Sequence, residues 1–140
     1  MGEVKKLFVY GTLMRGFENY NKYLKDKVKE IKKGYTYGNL YHLIRESCPA
    51  LIEGKEKIWG EIITFYDDGN VLSSIDELEL YFGDKHEMMY LREKREVFYE
   101  NGEKEYIDVY VYKKDIKREP HIYIETGDWR TFLLKRCKEM

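Results

Sequence analysis

The segment Met89-Tyr90-Leu91-Arg92-Glu93-Lys94-Arg95-Glu96-Val97-Phe98-Tyr99, the short break Glu100-Asn101-Gly102, and the segment Glu103-Lys104-Glu105-Tyr106-Ile107-Asp108-Val109-Tyr110-Val111-Tyr112 read as two strands joined by a tight turn. Asn-Gly is the dipeptide whose positive φ angles suit a primed two-residue hairpin. Alternate residues of a strand face opposite sides, so Tyr106, Tyr110 and Tyr112 share one face and Val109 and Val111 the other. A tyrosine-lined pocket or a stacking platform for nucleic acid would fit such a face. Tyrosine as an ordinary amphipathic strand residue accounts for the pattern without either.

Around this hairpin, residues 5–10 read as a short buried strand stopped by Gly11, and residues 34–44 and 57–66 as further strands. Residues 19–33 read as a helix, with Tyr20, Tyr23, Leu24, Val28 and Ile31 at helical spacing and Gly34 as terminator. A second short helix begins near Ser74, and a C-terminal segment follows Asp128. Five strands with two or three helices in mixed order indicate an α+β fold in which the sheet curls or closes into a barrel.

The length, 140 residues, corresponds to a single domain spanning 1–140. A chain of that size buries ~68–70% of the surface it exposes when unfolded, enough for a core with an enclosed pocket. Lys and Arg number 25 and Asp and Glu 26, a net charge of -1, so there is no global attraction for nucleic acid or anionic lipid. Apolar runs such as Ile62-Ile63-Thr64-Phe65-Tyr66 are too short to cross a bilayer. No signal-peptide pattern precedes the first strand, and Lys6 stands where a myristoylation motif requires Ser or Thr. Two cysteines, Cys48 and Cys137, make neither a disulfide framework nor a metal site by themselves. The expectation is a cytoplasmic protein without metal or cofactor and without a membrane or nucleic-acid partner.

No Walker loop, Gly-x-Ser-x-Gly elbow, Gly-x-Gly-x-x-Gly turn, Cys-x-x-Cys pair or His-Glu-x-x-His frame occurs. Two other features bear on chemistry. In Ser73-Ser74-Ile75-Asp76-Glu77-Leu78-Glu79-Leu80-Tyr81-Phe82, Ser74 and Glu77 make a capping box that would start a helix at Ser74. Ile75, Leu78 and Phe82 then form its buried arc, and Asp76 and Glu77 face solvent. Glu79 falls roughly 40° from Ile75, at the margin of that arc. A carboxylate there is partly desolvated, its pKa rises, and it can exchange a proton near neutrality. The alternative is a packed stem whose head reaches water or pairs with Arg92 or Lys94. In Val9-Tyr10-Gly11-Thr12-Leu13-Met14-Arg15-Gly16 a strand runs into a glycine turn. Successive N–H groups there can form a nest for a carboxylate or an oxyanion, unless this is simply a strand-end turn with Tyr10 and Leu13 packed inward.

Taken in order, these elements resemble the γ-glutamylcyclotransferase-like family: Val9-Tyr10-Gly11-Thr12-Leu13, Gly38-Asn39-Leu40-Tyr41, Pro49-Ala50-Leu51, Trp59-Gly60-Glu61, Ile75-Asp76-Glu77-Leu78-Glu79, Tyr90-Leu91-Arg92, Val109-Tyr110 and Thr126-Gly127-Asp128-Trp129. The resemblance implies a small mixed β-barrel flanked by helices, with a pocket at its mouth. It also implies an enzyme of the γ-glutamyl-amine cyclotransferase type, which releases 5-oxoproline and a free amine from a small γ-glutamyl substrate. By position, Glu79 would be the catalytic acid/base and Tyr10, Gly11, Thr12 and Leu13 the substrate-binding loop, with Tyr90 and Tyr110 lining the pocket. Leu80 stands where glycine often follows the glutamate, and residues 81–89 form a long polar loop. These departures leave open a non-catalytic protein of the same fold that binds a small carboxylate or a protein partner.

Overall fold

A computed structural model describes residues 2–80 and 90–139, the side chains of Leu80, Lys138 and Glu139 excepted. In chain order the elements are β1 (Glu3–Val9), α1 (Glu18–Tyr23), β2 (Val28–Leu43), β3 (Cys48–Asp67), α2 (Val71–Leu80), β4 (Tyr90–Tyr99), β5 (Lys104–Tyr112), a single 3-10 turn (Ile116–Arg118), β6 (His121–Tyr123) and α3 (Trp129–Glu139). The sheet runs β3-β1-β5-β4-β2-β6, and β2 pairs again with β3, so β1 to β5 close on themselves. Among the described residues only β1 and β5 are parallel, through Leu7↔Asp108 and Phe8↔Val109; the other pairs are antiparallel. The expected mixed barrel is present, with β6 added at the edge of β2. Leu7, Phe8, Leu40, Ile58, Ile63, Phe65, Val97 and Val109 fill its core.

The expected helix over 19–33 is shorter. α1 stops at Tyr23, and Val28 and Ile31 belong to β2, opposite Phe65 and Ile63 of β3. Both residues are β-branched and fit a pleated surface, and this long-range pairing overrides a local periodicity that served either structure. β3 begins at Cys48, nine residues before residue 57, the expected start. Its register against β2 jumps from Gly38↔Glu56 to Asn39↔Ile52, a bulge that absorbs Glu53, Gly54 and Lys55 and bends the strand. No periodic pattern survives such an insertion.

The hairpin holds, but its turn differs. Gly102 alone of the Asn-Gly pair has positive φ, at +92°. Tyr99 N–H donates to Glu103 O (2.8 Å) and Gly102 N–H to Tyr99 O (3.0 Å), giving a three-residue loop over 100–102 with the glycine at its left-handed position. Tyr106 is 67% exposed whereas Tyr110 and Tyr112 are each 3% exposed, so the shared face is covered at one end only.

α2 starts at Val71, before the expected Ser74 box, because Asp67 caps it. Asp67 Oδ1 accepts from Gly69 N (2.9 Å) and Val71 N (2.9 Å), and Oδ2 from Leu72 N (3.1 Å) and Lys5 Nζ (2.9 Å). Burial alone would raise its pKa, but the ammonium and the three amide donors hold it at about 2. Phe82, expected on the buried arc of this helix, lies outside the described residues. α3 begins after Asp128, whose Oδ1 accepts from Arg130 N at 3.1 Å. It docks through Trp129, whose Nε1–H donates to the buried His42 Nδ1 at 3.1 Å. Among the described residues no helix is long and apolar enough to cross a membrane.

Candidate active site

β1 ends by feeding Tyr10 into the turn 11–14, where Met14 N–H returns to Gly11 O at 3.0 Å. The turn is pinned from α1: Tyr20 N–H donates to Thr12 O (3.1 Å) and Asn19 Nδ2 to Thr12 Oγ1 (2.6 Å). Arg15 N–H is held by Glu61 Oε1 at 2.6 Å, and Arg130 bridges Arg15 O (2.8 Å) to Glu61 Oε2 (3.6 Å). Among the described residues, the N–H groups of Thr12 and Leu13 have no protein acceptor. Glycine is required at position 11 because a Cβ there would stand 2.8 Å from Pro49 Cγ, and Pro49 is itself part of the pocket wall.

Beside this turn lies a half-open cavity enclosing about 460 Å³ of empty space, part of it open to solvent. The structure gathers all seven expected residues around it: Tyr10, Gly11, Thr12 and Leu13 from the turn, Glu79 from α2, Tyr90 from β4 and Tyr110 from β5. Phe8, Val9, Asn19, Cys48, Pro49 and Leu78 complete the lining. Asn19 and Cys48 carried no sequence signal for this, since one sits on a short helix outside the glycine-turn segment and the other is a lone thiol. Pro49 was visible only within a longer matching segment.

Glu79 keeps some accessible area through the cavity it lines. Among the described residues its carboxyl has no hydrogen-bond or ion-pair partner, and burial pushes its pKa up to about 7. Arg92 and Lys94, the partners it could have taken, are engaged elsewhere. Arg92 grips Asp76 through Nε–Oδ1 (2.8 Å) and Nη2–Oδ2 (3.0 Å) and reaches Asp108 Oδ2 with Nη1 (3.0 Å). Lys94 lies 3.4 Å from Asp108. Asp76, expected to face solvent, is therefore the anchor of α2 on the β4–β5 hairpin, and it also accepts from Tyr110 Oη at 2.6 Å.

The three tyrosine hydroxyls have their protons committed to the protein. Tyr10 donates to Tyr110 O (2.5 Å), Tyr90 to Pro49 O (2.7 Å) and Tyr110 to Asp76. Burial drives all three pKa values upward, and the Glu79 carboxylate adds to this. Each remains a neutral phenol whose oxygen retains acceptor capacity. Burial also raises the Cys48 thiol to about 12, so it is no thiolate nucleophile at neutral pH. Among the described residues, the chemistry-bearing groups of the cavity are thus a carboxyl whose pKa lies near neutrality, phenol oxygens and main-chain N–H donors.

The family model described as "Gamma-glutamyl cyclotransferase, AIG2-like" matches residues 7–131. The chain is 32% identical to the protein named "Putative gamma-glutamylcyclotransferase MJ1514" of Methanocaldococcus jannaschii over 127 residues, covering 90% of this chain and 96% of that one. Two crystal structures share the fold. Uncharacterized protein PH0828 of Pyrococcus horikoshii superimposes with a TM-score of 0.66 at 21% identity, covering 96% of this chain and 97% of the other. An AIG2-like protein of Mus musculus gives 0.62 at 23% identity, with 86% of each chain covered. The chain belongs to the AIG2-like gamma-glutamyl cyclotransferase family.

Proposed function

We propose that this protein is a γ-glutamyl-amine cyclotransferase, converting a γ-glutamyl amide to 5-oxoproline and a free amine. The observation that carries the reading is Glu79, a carboxyl without a partner among the described residues, with a pKa of about 7, on the wall of a cavity whose other side is an amide-rich turn.

The substrate holds both its own nucleophile and its electrophile, and ring closure draws on the high effective molarity of a five-membered transition state. Glu79, as carboxylate, accepts a proton from the α-ammonium. The α-nitrogen forms its bond to the γ-carbon, and the carbonyl electron pair moves onto oxygen. The N–H groups of Thr12 and Leu13 are suited to hold either that oxyanion or the α-carboxylate. Collapse of the intermediate breaks the bond from the γ-carbon to the leaving nitrogen, which takes that proton from Glu79, and the freed carboxylate then relays the second proton of the ring nitrogen to the amine, which departs as ammonium beside the neutral lactam. The carboxylate is regenerated, and the chemistry calls for neither metal nor cofactor. The phenol oxygens, with their protons turned away, suit the N–H donors of the two nitrogens. A cytoplasmic setting belongs to the same reading, since Cys48 and Cys137 are both free.

The test incubates purified protein with a panel of γ-glutamyl amides and measures 5-oxoproline. Turnover by wild type and its collapse in Glu79→Gln is the expected result. Tight binding of the amides without conversion would instead identify a non-catalytic binding protein of this fold.

A further inference from the structure

The turn beside the cavity is pinned at two points. Thr12 is held from α1, and its N–H and that of Leu13 have no protein acceptor among the described residues. Just beyond, Arg15 is held from behind through both of its main-chain groups. Glu61 Oε1 on β3 accepts its N–H at 2.6 Å, and Arg130 Nη2 on α3 donates to its carbonyl at 2.8 Å. Glu61 Oε2 lies 3.6 Å from the same Arg130 nitrogen, so the three residues close a ring. The N–H and the carbonyl of Arg15 belong to consecutive peptide groups, each a rigid plane. Only the torsions of Leu13 and Met14, each 3% exposed, separate the first of these planes from the Leu13 N–H.

Both partners are themselves fixed to the barrel. Arg130 follows Trp129, which is 2% exposed, donates to His42 and packs on the Phe17 ring at 5.1 Å. The Arg130 guanidinium lies over the same Phe17 ring, with Cζ 4.8 Å from its centre. On β3, the N–H of Trp59, two residues before Glu61, donates to Gly127 O at 2.7 Å and so joins the start of α3 to this strand. The Arg130 and Glu61 side chains remain 41% and 21% exposed, and an ion pair so open to water contributes little to stability. What the pair fixes is the orientation of the chain that follows the turn. Among the described residues α3 contributes nothing to the cavity lining, so it reaches the site only through this contact.

We propose that Arg130 and Glu61 are positioning residues, which set the Arg15 peptide groups from α3 and β3 and through them aim the Thr12 and Leu13 N–H donors at the substrate. The role in turnover rests on the cyclotransferase reading; the clamp on the turn does not.

Three variants test it: Arg130→Ala, Glu61→Gln, which keeps an acceptor for the Arg15 N–H but removes the charge facing Arg130, and the two combined. Backbone hydrogen exchange over residues 11–17 reports the clamp, and urea midpoints report the whole fold. Each single variant should exchange about tenfold faster in that segment, the worth of one hydrogen bond to a charged group. Exchange elsewhere and the urea midpoint should stay as in wild type. On a γ-glutamyl amide that wild type converts, kcat/KM should fall roughly ten- to a hundredfold in each, the scale of a slightly misplaced binding group. The combined variant should be no worse than the weaker of the two, because the pair acts as one unit. The loss falls on kcat where the N–H groups meet the oxyanion and on KM where they meet the α-carboxylate, and either supports the proposal. Wild-type exchange over 11–17, wild-type kcat/KM, losses that multiply in the combined variant, or losses tracking a lowered urea midpoint would each overturn it. Faster exchange in the segment, with no amide turned over by wild type, leaves the clamp standing and removes the cyclotransferase reading.

Discussion

The two ends of α2 hold two carboxylates withdrawn from water to opposite effect. At its start Asp67 accepts three amide hydrogen bonds and an ammonium, and its pKa is about 2. Near its end Glu79 has no such partner among the described residues, and its pKa is about 7. Helix polarity acts in the same sense, because free N–H groups at the N-terminus favour a negative charge and free carbonyls at the C-terminus oppose it. Burial thus makes a structural cap where donors converge and a carboxyl that titrates near neutrality where they are missing. Arg92 is held instead by Asp76, one turn before Glu79, and by Asp108.

Removing the exchanger should give the largest effect. Glu79→Gln is expected to lower kcat on the order of a thousandfold, within the ordinary range for general acid–base catalysis, and 5-oxoproline release measures it. The same variant should reveal the opposite cost in stability. The folded-state pKa of Glu79 is raised above its usual 4.5, so the folded protein binds more protons than the unfolded chain between pH 4.5 and about 7, and stability falls across that window as pH rises. Above pH 7 Glu79→Gln should therefore be more stable than wild type by about 2–4 kcal/mol, with the advantage gone below pH 4.5, in urea unfolding at several pH values.

Removing the cap should act in the other direction. Asp67→Ala leaves amide donors and Lys5 unpaired and should cost about 3 kcal/mol at neutral pH. Because the Asp67 pKa is depressed, its contribution is present above pH 4 and is lost as pH falls from 3.8 toward 2. Acid unfolding of wild type and variant should converge in that interval. If both variants shift stability with the same pH dependence, the contrast between the helix ends is wrong.

A smaller effect sharpens the account of Arg92. Asp76→Asn weakens its hold on the guanidinium, which would then be freer to pair with another carboxylate such as Glu79. The rate of a reaction that needs Glu79 as carboxylate rises with pH through its pKa, and that rise should move about one unit below 7 in the variant, since a nearby opposite charge lowers a carboxyl by about that much. An unmoved pH profile would show that Arg92 is no latent partner. Smaller still, His42 is buried and its pKa is lowered, by burial first and then by Arg136, so protonating it must break its bond from Trp129. Stability should decline as pH drops below 6.5, and His42→Gln should remove part of that slope.

Much of the barrel was legible in local pattern. β1, the β4–β5 hairpin and the C-terminal segment after Asp128 follow from an apolar run stopped by Gly11, from alternation with Asn-Gly, and from Asp128, because each depends on neighbours in the chain. The 19–33 region and the start of β3 were not legible. Val28 and Ile31 suit a helix face as well as a strand, and pairing with residues more than thirty positions away decided between them. The candidate site divides the same way. Glu79, the Tyr10–Leu13 turn, Tyr90 and Tyr110 stood out in order along the sequence, but Asn19, Cys48 and the Asp76–Arg92–Asp108 cluster are neighbours only in space.

The amino-acid sequence by itself determined that Glu79 would ride at the edge of an apolar helix face and that a glycine turn would end the first strand, since helical advance and backbone sterics are local. Tertiary structure alone decided that the two would face one cavity and that Arg92 would be spent on other carboxylates. Those facts depend on which distant groups closure of the barrel brings within a few ångströms, and charge interactions and desolvation answer to that distance.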